Sequence, residues 1–339
     1  MRDKLYSLLF YNVYAKKLAV YLLNAGWFVN NPLYRQLHNR YVAAVINRYR
    51  EVPNVVVIEN TNVCNSHCFM CPHDELHRPL GVMSLDLFKK VVDQCALLGV
   101  SKISLHGFGE PLTDRIFPER VKYAKEKGIP HVGTTSNGAL MTKDLAEAVI
   151  LAGLDQINFS LDAVSPEAYG KIRVGLPFKT VMENVREFIG LRNRLGRTKP
   201  LVTVDLIENQ HNQGETKAFI NRWQGIADLV NITTLHTWAG SYKEKVGSGQ
   251  LHHQNRFIKR EPCRFLWTDL VVNWDGRVSA CCQDYEATMV VGDLQTTPLK
   301  EVWQGDVLNH LRGIHLKGRM EEIPLCQICD YRSVWWLLR

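Results

Sequence analysis

Long apolar runs are missing from this 339-residue chain. No stretch reaches the roughly 20 unbroken apolar residues that a bilayer-crossing helix needs. Internal repeats and low-complexity tracts are also missing, which excludes solenoid and fibrous architectures. Nothing at the N-terminus reads as a secretory signal with a small-residue cleavage site, so a cytoplasmic location is expected. In a reducing cytosol, grouped cysteines are metal sites before they are disulfides. The net charge is +7, but Lys and Arg gather only in short pairs such as Lys16–Lys17 and Lys89–Lys90. That pattern reads as a solvated basic surface that mildly favours anionic partners, not as a nucleic-acid site. With 46% hydrophobic residues, a substantial core can form, in two domains or in one large α/β domain with an appendage.

The first thirty residues include "KLYSLLFYNVYAKKLAVYLLNAGWFV", broken by Asn12, Lys16, Lys17 and Asn24. Leu5, Leu8, Leu9, Val13, Val20 and Leu23 follow helical spacing, and Tyr6, Phe10 and Tyr21 widen the apolar surface. Two readings stand open: a helix packed on the protein's own body, or an interfacial helix giving peripheral membrane contact through residues 1–30.

From residue 54 strand and helix patterns alternate. Strands are predicted over 54–60, 101–107, 131–138, 156–163, 201–208 and 229–237. Helices are predicted over 84–99, 116–128, 142–153, 178–196 and 214–226, with Ser84 and Thr142 as caps and Gly99 as a stop. Strict alternation implies a parallel sheet with right-handed crossovers, and six units imply a partial (β/α)6 TIM-like barrel. Chemistry in such a sheet gathers at the carboxyl ends of the strands. The expected division is an N-terminal helical extension (1–50), the barrel (51–240), a polar linker (241–262) and a small C-terminal β-hairpin/helix domain (263–339). In the last, "TDLVVNWDGRVSACC" reads as a hairpin with an Asp-Gly turn, and 298–315 as one helix.

Nine cysteines are present and they are grouped. Cys64, Cys68 and Cys71 form C-x3-C-x2-C directly after the first strand. Four thiolates close a zinc site or fully ligate a [4Fe–4S] cluster; three leave one iron open to a small chelating molecule. Zinc with His67 or His73 as fourth ligand is the alternative. Cys263, Cys281/Cys282, Cys326 and Cys329 form a second set. Cys95 lies alone on a helix face and reads as core.

The C-x3-C-x2-C after the first strand of a partial barrel resembles the radical S-adenosylmethionine (SAM) superfamily. The resemblance covers roughly residues 54–239. It implies that Cys64, Cys68 and Cys71 hold a [4Fe–4S] cluster whose open iron binds the amino and carboxylate groups of SAM, and that reductive cleavage gives a 5′-deoxyadenosyl radical that abstracts hydrogen from substrate. "GFGEP" resembles the family's Gly-Gly-Glu motif, which implies SAM contacts for Gly107, Gly109 and Glu110. Ser136 and Asn137 match SAM-contacting positions. Ser160 and Asp162 match ribose- or carboxylate-contacting ones. Arg173 in "YGKIRVG" matches an arginine that reaches the SAM carboxylate. One departure is Met70, where the family often has an aromatic residue before the third cysteine. The C-terminal set resembles SPASM/twitch domains in their shorter form, which implies one auxiliary [4Fe–4S] cluster on Cys263, Cys281, Cys326 and Cys329. Cys281 is preferred over Cys282 from its G-x4-C spacing; neighbours on a strand point to opposite sides, so the two are not expected to ligate one cluster together.

The resemblance implies an iron–sulfur oxidoreductase that dehydrogenates a small molecule such as a sugar or aminocyclitol, fed by a donor such as flavodoxin or ferredoxin. Peptide modification, a non-enzymatic iron–sulfur or zinc scaffold and an electron-transfer protein are the alternatives. Base candidates near the barrel mouth are Asp205, Glu208, His236 and Asp284; Trp238 is expected to line the pocket or simply to pack.

Overall fold

The structure is a computed structural model and describes residues 25–235, 237–240, 262–327 and 329. After α1 (Pro32–Arg48), the chain alternates β1 (Val55–Ile58), α2 (Leu85–Leu98), β2 (Lys102–Leu105), α3 (Phe117–Glu126), β3 (His131–Ser136), α4 (Lys143–Leu151), β4 (Gln156–Ser160) and α5 (Pro166–Ile172). It continues through α6 (Phe178–Arg194), β5 (Leu201–Glu208), α7 (Thr216–Trp223) and β6 (Leu229–Thr234). The C-terminal region adds β7 (Asp269–Val272), β8 (Arg277–Ser279), β9 (Val290–Asp293), α8 (Leu299–Gln304) and α9 (Asp306–Leu316).

Strands β1 to β6 pair in sequence order and all in parallel, as a partial barrel requires. The period-2 pattern separates two faces. Val56, Ile58, Ile103, Leu105, Val132, Ile157, Phe159, Val202 and Val204 are fully buried in a core shared with Phe88, Phe117, Val149 and Phe188 from the helices. Burying each such large side chain is worth about 1.5–3 kcal/mol. The other face is more polar: Glu59, Lys102, Ser104, His106, Gln156 and Asn158 line the barrel interior. Helix α2 begins on Ser84, whose hydroxyl accepts from Leu87 N, and stops at Gly99 in the left-handed region. Cys95 lies on its buried face, in the core.

The C-terminal hairpin is not a detached appendage. β7 lies parallel to β1 on its free edge, with Val55 opposite Asp269 and Ile58 opposite Val272. The full sheet therefore runs β9-β8-β7-β1-β2-β3-β4-β5-β6. The Asp-Gly turn forms as expected, with Gly276 at positive φ.

Three local expectations need correction. The helix expected over 298–315 is two helices, broken at Gly305, whose backbone is extended. A side chain there would meet Glu301 O at 2.7 Å. The sixth strand ends at Thr234. Cys281 and Cys282 lie in a turn after β8, so strand alternation does not keep the two side chains on opposite sides. Residues 1–24, His236 and nearly all of the expected linker (241–261) fall outside the described residues, as do 328 and 330–339. Among the described residues, no helix is long and apolar enough to cross a membrane.

Candidate active site

The three-cysteine loop is built by the segment leaving β1. Asn60 Nδ2 donates to Pro111 O and to Asp114 Oδ2. Asn62 Nδ2 donates to Pro79 O, and its Oδ1 accepts from Gly81 N. These bonds satisfy polar groups that would otherwise be buried alone. Cys68 is then fixed by a short antiparallel bridge, His67–Cys68 against Arg173–Val174. Cys71 N donates to Cys68 O at 3.0 Å, which folds the C-x2-C segment into a turn. All three thiols are half-buried. Burial pushes the Cys64 thiol up to about 11, and the charges of Cys68 and Glu110 add to it. Burial, then Cys68, pushes Cys71 up to about 12. Cys64 and Cys71 therefore resist ionisation until positive charge is supplied.

Gly109 packs the GFGEP loop on the cysteine loop: a β-carbon there would lie 2.6 Å from Thr61 O and from Val63 O. At Gly107 it would lie 2.4 Å from the Glu59 side chain. Glu110 is buried. Its Oε1 accepts from Leu112 N and Ser136 Oγ, and its Oε2 accepts from Asn137 N at 2.7 Å. Burial raises its carboxyl above the usual range. Asn137 also reaches the cysteine loop, donating Nδ2 to Asn65 Oδ1 at 2.8 Å. Glu110, Ser136 and Asn137 are thus brought together beside Cys64.

Arg173 and Asp162 form a buried ion pair. Arg173 Nε and Nη2 both donate to Asp162 Oδ2, while Ile207 N donates to Asp162 Oδ1. Arg173 Nη1 donates to Cys68 Sγ at 3.4 Å. Asp162 has positive φ, and its ion pair holds the Arg173 guanidinium in place. Ser160 stands half-buried at the end of β4, opposite Asp205 of β5.

The second cysteine set also converges. Burial pushes the Cys281 and Cys263 thiols up, and neighbouring cysteines add to it: Cys282, Cys263 and Cys329 at Cys281, and Cys329, Cys326 and Cys282 at Cys263. His315 is buried between them. Its Nδ1 accepts from Cys263 N at 3.1 Å, so the neutral ring carries its proton on Nε2, which faces Cys326 Sγ at 3.6 Å.

A cavity of about 610 Å³ fills the barrel interior. Gly107, Phe108 and Trp238 line it near the strand ends, and Cys263, Arg264, Cys282 and Gln283 line it from the C-terminal region. Trp238 Nε1 donates to Met70 O at 2.6 Å and its ring lies 5.4 Å from that of Phe108. An indole therefore abuts the residue where the family pattern has an aromatic side chain.

Residues 58–199 match the family model of the Radical SAM superfamily, and residues 263–330 match the SPASM model, an iron–sulfur cluster-binding domain. The chain belongs to the radical SAM superfamily. It is a radical SAM enzyme with a C-terminal SPASM domain, and [4Fe–4S] clusters and SAM are its cofactors. Among curated relatives, it is 37% identical over 130 residues to a "Probable GTP 3′,8-cyclase" of Methanococcus maripaludis strain C5, covering 38% of this chain and 43% of that one. It is 32% identical over 195 residues to a protein of the same name from Saccharolobus islandicus strain M.14.25, covering 57% and 60%. The chain thus spans about half the length of the curated relatives it matches. Among solved structures, BtrN in complex with AdoMet and 2-DOIA matches with a TM-score of 0.59 at 18% identity, covering 85% of this chain and 96% of that one. Streptococcus suis SuiB bound to precursor peptide SuiA matches with a TM-score of 0.65 at 15% identity, covering 89% and 77%. At those identities the likeness is one of fold.

The donor set of this radical SAM chain fits the cofactors. The first loop offers three thiols beside a guanidinium, and Glu110 Oε2 keeps one acceptor direction for a further donor. The histidines of the zinc alternative are engaged elsewhere. His67 Nδ1 pairs with Asp74 at 2.7 Å on the surface, and His73 Nε2 donates to Asn62 O. Among the described residues, no three His, Cys, Asp or Glu groups are arranged to hold a single metal ion.

Two base candidates are tied into the fold. Asp284 accepts from Thr288 N, Thr288 Oγ1 and Met289 N, which shapes the turn before β9. Glu208 accepts from Thr216 Oγ1 at the start of α7. Asp205 accepts from Asn231 Nδ2, and His236 lies outside the described residues. Sequence reasoning missed the Glu59–Arg78 pair: Arg78 Nη1 and Nη2 grip both carboxylate oxygens at 2.7 and 2.6 Å, buried. Phe108 N and Trp274 N donate to the same carboxylate, and Arg78 Nε donates to Tyr285 O. One ion pair thereby joins β1, the GFGEP loop and the C-terminal region.

Proposed function

We propose that this enzyme oxidises a small polar molecule, such as a sugar or aminocyclitol, held in the barrel cavity. In this reading Cys64, Cys68 and Cys71 hold the SAM-binding cluster, and Cys263, Cys326, Cys329 and Cys281 or Cys282 hold the second. When bound, the first cluster and SAM supply a 5′-deoxyadenosyl radical that takes a hydrogen atom from substrate, and the second supplies an acceptor for the electron the substrate then releases. Glu110 Oε2 would accept from the ammonium of SAM, and Ser136 and Asn137 fix the carboxylate that would do so. Arg173 offers its guanidinium to the SAM carboxylate, with Asp162 holding the arginine in place. Ser160, at the end of β4, would contact the ribose. Phe108 and Trp238 cover the cavity and exclude water from the reacting carbon. Asp205, beside Ser160, is the favoured base for the proton lost with the electron.

The observation that carries this reading is the cavity wall itself. It runs from Gly107 and Phe108, beside the first cysteine loop, to Cys263 and Cys282 of the second set, and hydrogen-bonding side chains line the way. Residues 51–240 are read as the catalytic core, 263–339 as the auxiliary-cluster domain, 1–50 as a helical extension and 241–262 as a linker. The proposed electron donor is a flavodoxin or ferredoxin, and the proposed location is the cytoplasm.

A second reading is favoured by Lys102 and Arg264 on the same wall, together with the cyclase names of the curated relatives: an anionic, nucleotide-like substrate that is rearranged without net oxidation. Incubating the reduced enzyme and SAM with polyol and nucleotide libraries separates the two. Oxidation predicts a product about two mass units lighter than its substrate, formed with 5′-deoxyadenosine. A product of unchanged mass overturns it in favour of rearrangement.

A further inference from the structure

We propose that α1 and the residue turn before it seat the enzyme on an anionic lipid surface. Helix α1 starts on Asn31, whose Oδ1 accepts from Leu33 N and Tyr34 N, with Pro32 in the first turn. One face is docked: Val42 and Val45 are buried in the core cluster, and Trp303 Nε1 donates to Tyr49 O just past the helix end. The other face is open. Trp27, Leu33 and Leu37 are 70%, 64% and 57% exposed. Leu33 and Leu37 stand one turn apart on the same side, and Arg40 and Ala44 continue that side.

The charge distribution supplies the partner. The first fifty residues hold eight Lys and Arg and a single acid, Asp3, a balance of +7. The other 289 residues hold 33 basic and 33 acidic residues, so the entire net charge of the chain lies in the N-terminal fifty. From Lys4 to Arg50 there is no Asp or Glu. Arg35, Arg40 and Arg48 are exposed along the same helix, and Arg50, just past its end, pairs with Glu51. An exposed tryptophan and leucines amid arginines, without acids, match the interface of an anionic membrane: the apolar side chains enter the headgroup boundary and the cations meet the phosphates. A water-facing helix has no need of the first feature, and a protein partner gives no reason for the total absence of acids. This inference does not rest on the proposed reaction.

The test is sedimentation of the whole reconstituted chain with vesicles of phosphatidylcholine alone and of phosphatidylcholine with phosphatidylglycerol. Binding to the anionic vesicles at low salt, lost at high salt, is expected. Trp27→Ser/Leu33→Ser/Leu37→Ser and, separately, Arg35→Gln/Arg40→Gln should each weaken partition by roughly tenfold or more, with iron content unchanged. The changed side chains are exposed, so folding is retained, and equal iron content checks it. Absence of binding to anionic vesicles, equal binding to both vesicle types, or a homodimer that the triple serine variant converts to monomer would each overturn the proposal.

Discussion

Cys68 and Arg173 meet twice. Their backbones face each other across a two-residue antiparallel bridge, and the Arg173 guanidinium reaches back to place Nη1 3.4 Å from Cys68 Sγ. Residues 105 positions apart thus share one register, and the central cysteine of the loop cannot move without its cation. Arg173 is in turn anchored by Asp162, which is fully buried.

Arg173→Met should therefore do two things. It strands the Asp162 carboxylate, which costs about 3–5 kcal/mol of stability, and it removes the proposed partner of the SAM carboxylate. Adding Asp162→Asn should recover most of the thermal stability but not SAM affinity. Calorimetric unfolding and SAM titration of both variants separate the two effects.

Gly109→Ala places a methyl group 2.6 Å from two backbone carbonyls of the cysteine loop, Thr61 O and Val63 O. Backbone cannot yield as a flexible side chain can, so the loop must shift. Reconstituted iron should fall by roughly half, because the C-terminal cysteine set is untouched. Iron analysis of the purified variant gives the answer directly.

His315 donates Nε2–H toward Cys326 Sγ. Hydrogen bonds to cluster sulfurs raise reduction potentials, so His315→Phe should lower the midpoint of the second cluster by on the order of tens of millivolts. His315→Gln should retain part of the shift. Potentiometry monitored by electron paramagnetic resonance, in a chain with Cys64, Cys68 and Cys71 replaced by Ala, isolates that cluster.

Asp155 gives the pH dependence of the fold. Burial alone would raise its carboxyl, but Lys125, Lys199 and the Val132 N–H hold it below the usual range. A depressed folded value means stability that is present above the ordinary carboxylate pKa and lost as pH falls through the folded one. Asp155→Asn should unfold at a lower temperature than the parent at neutral pH. The gap should shrink below about pH 4 and close once Asp155 is protonated in both states.

Much of the barrel is legible in the sequence because its signals are local. Ser84 and Thr142 cap their helices through their own hydroxyls, Gly99 ends α2 at positive φ, and the cysteines follow β1 as the alternation requires. The parts that sequence reasoning missed depend on distant pairing. Nothing near residue 269 announces that β7 will add to the β1 edge in parallel. Glu59 and Arg78 look like two solvated charges until the fold buries them face to face. Asp284 has the composition of a base candidate, but three donors from residues 288 and 289 consume its carboxylate. The two-helix break at Gly305 was the one miss with a local signal, a glycine inside an otherwise helical pattern.

The most direct test of the account is anaerobic reconstitution followed by reduction with dithionite in the presence of SAM, in the parent and in Cys64→Ala/Cys68→Ala/Cys71→Ala. The account predicts roughly eight irons per parent chain and roughly four in the variant, with 5′-deoxyadenosine formed by the parent alone. Equal iron in both proteins, or zinc in place of iron, would contradict the assignment of the three-cysteine loop as the SAM-cleaving centre.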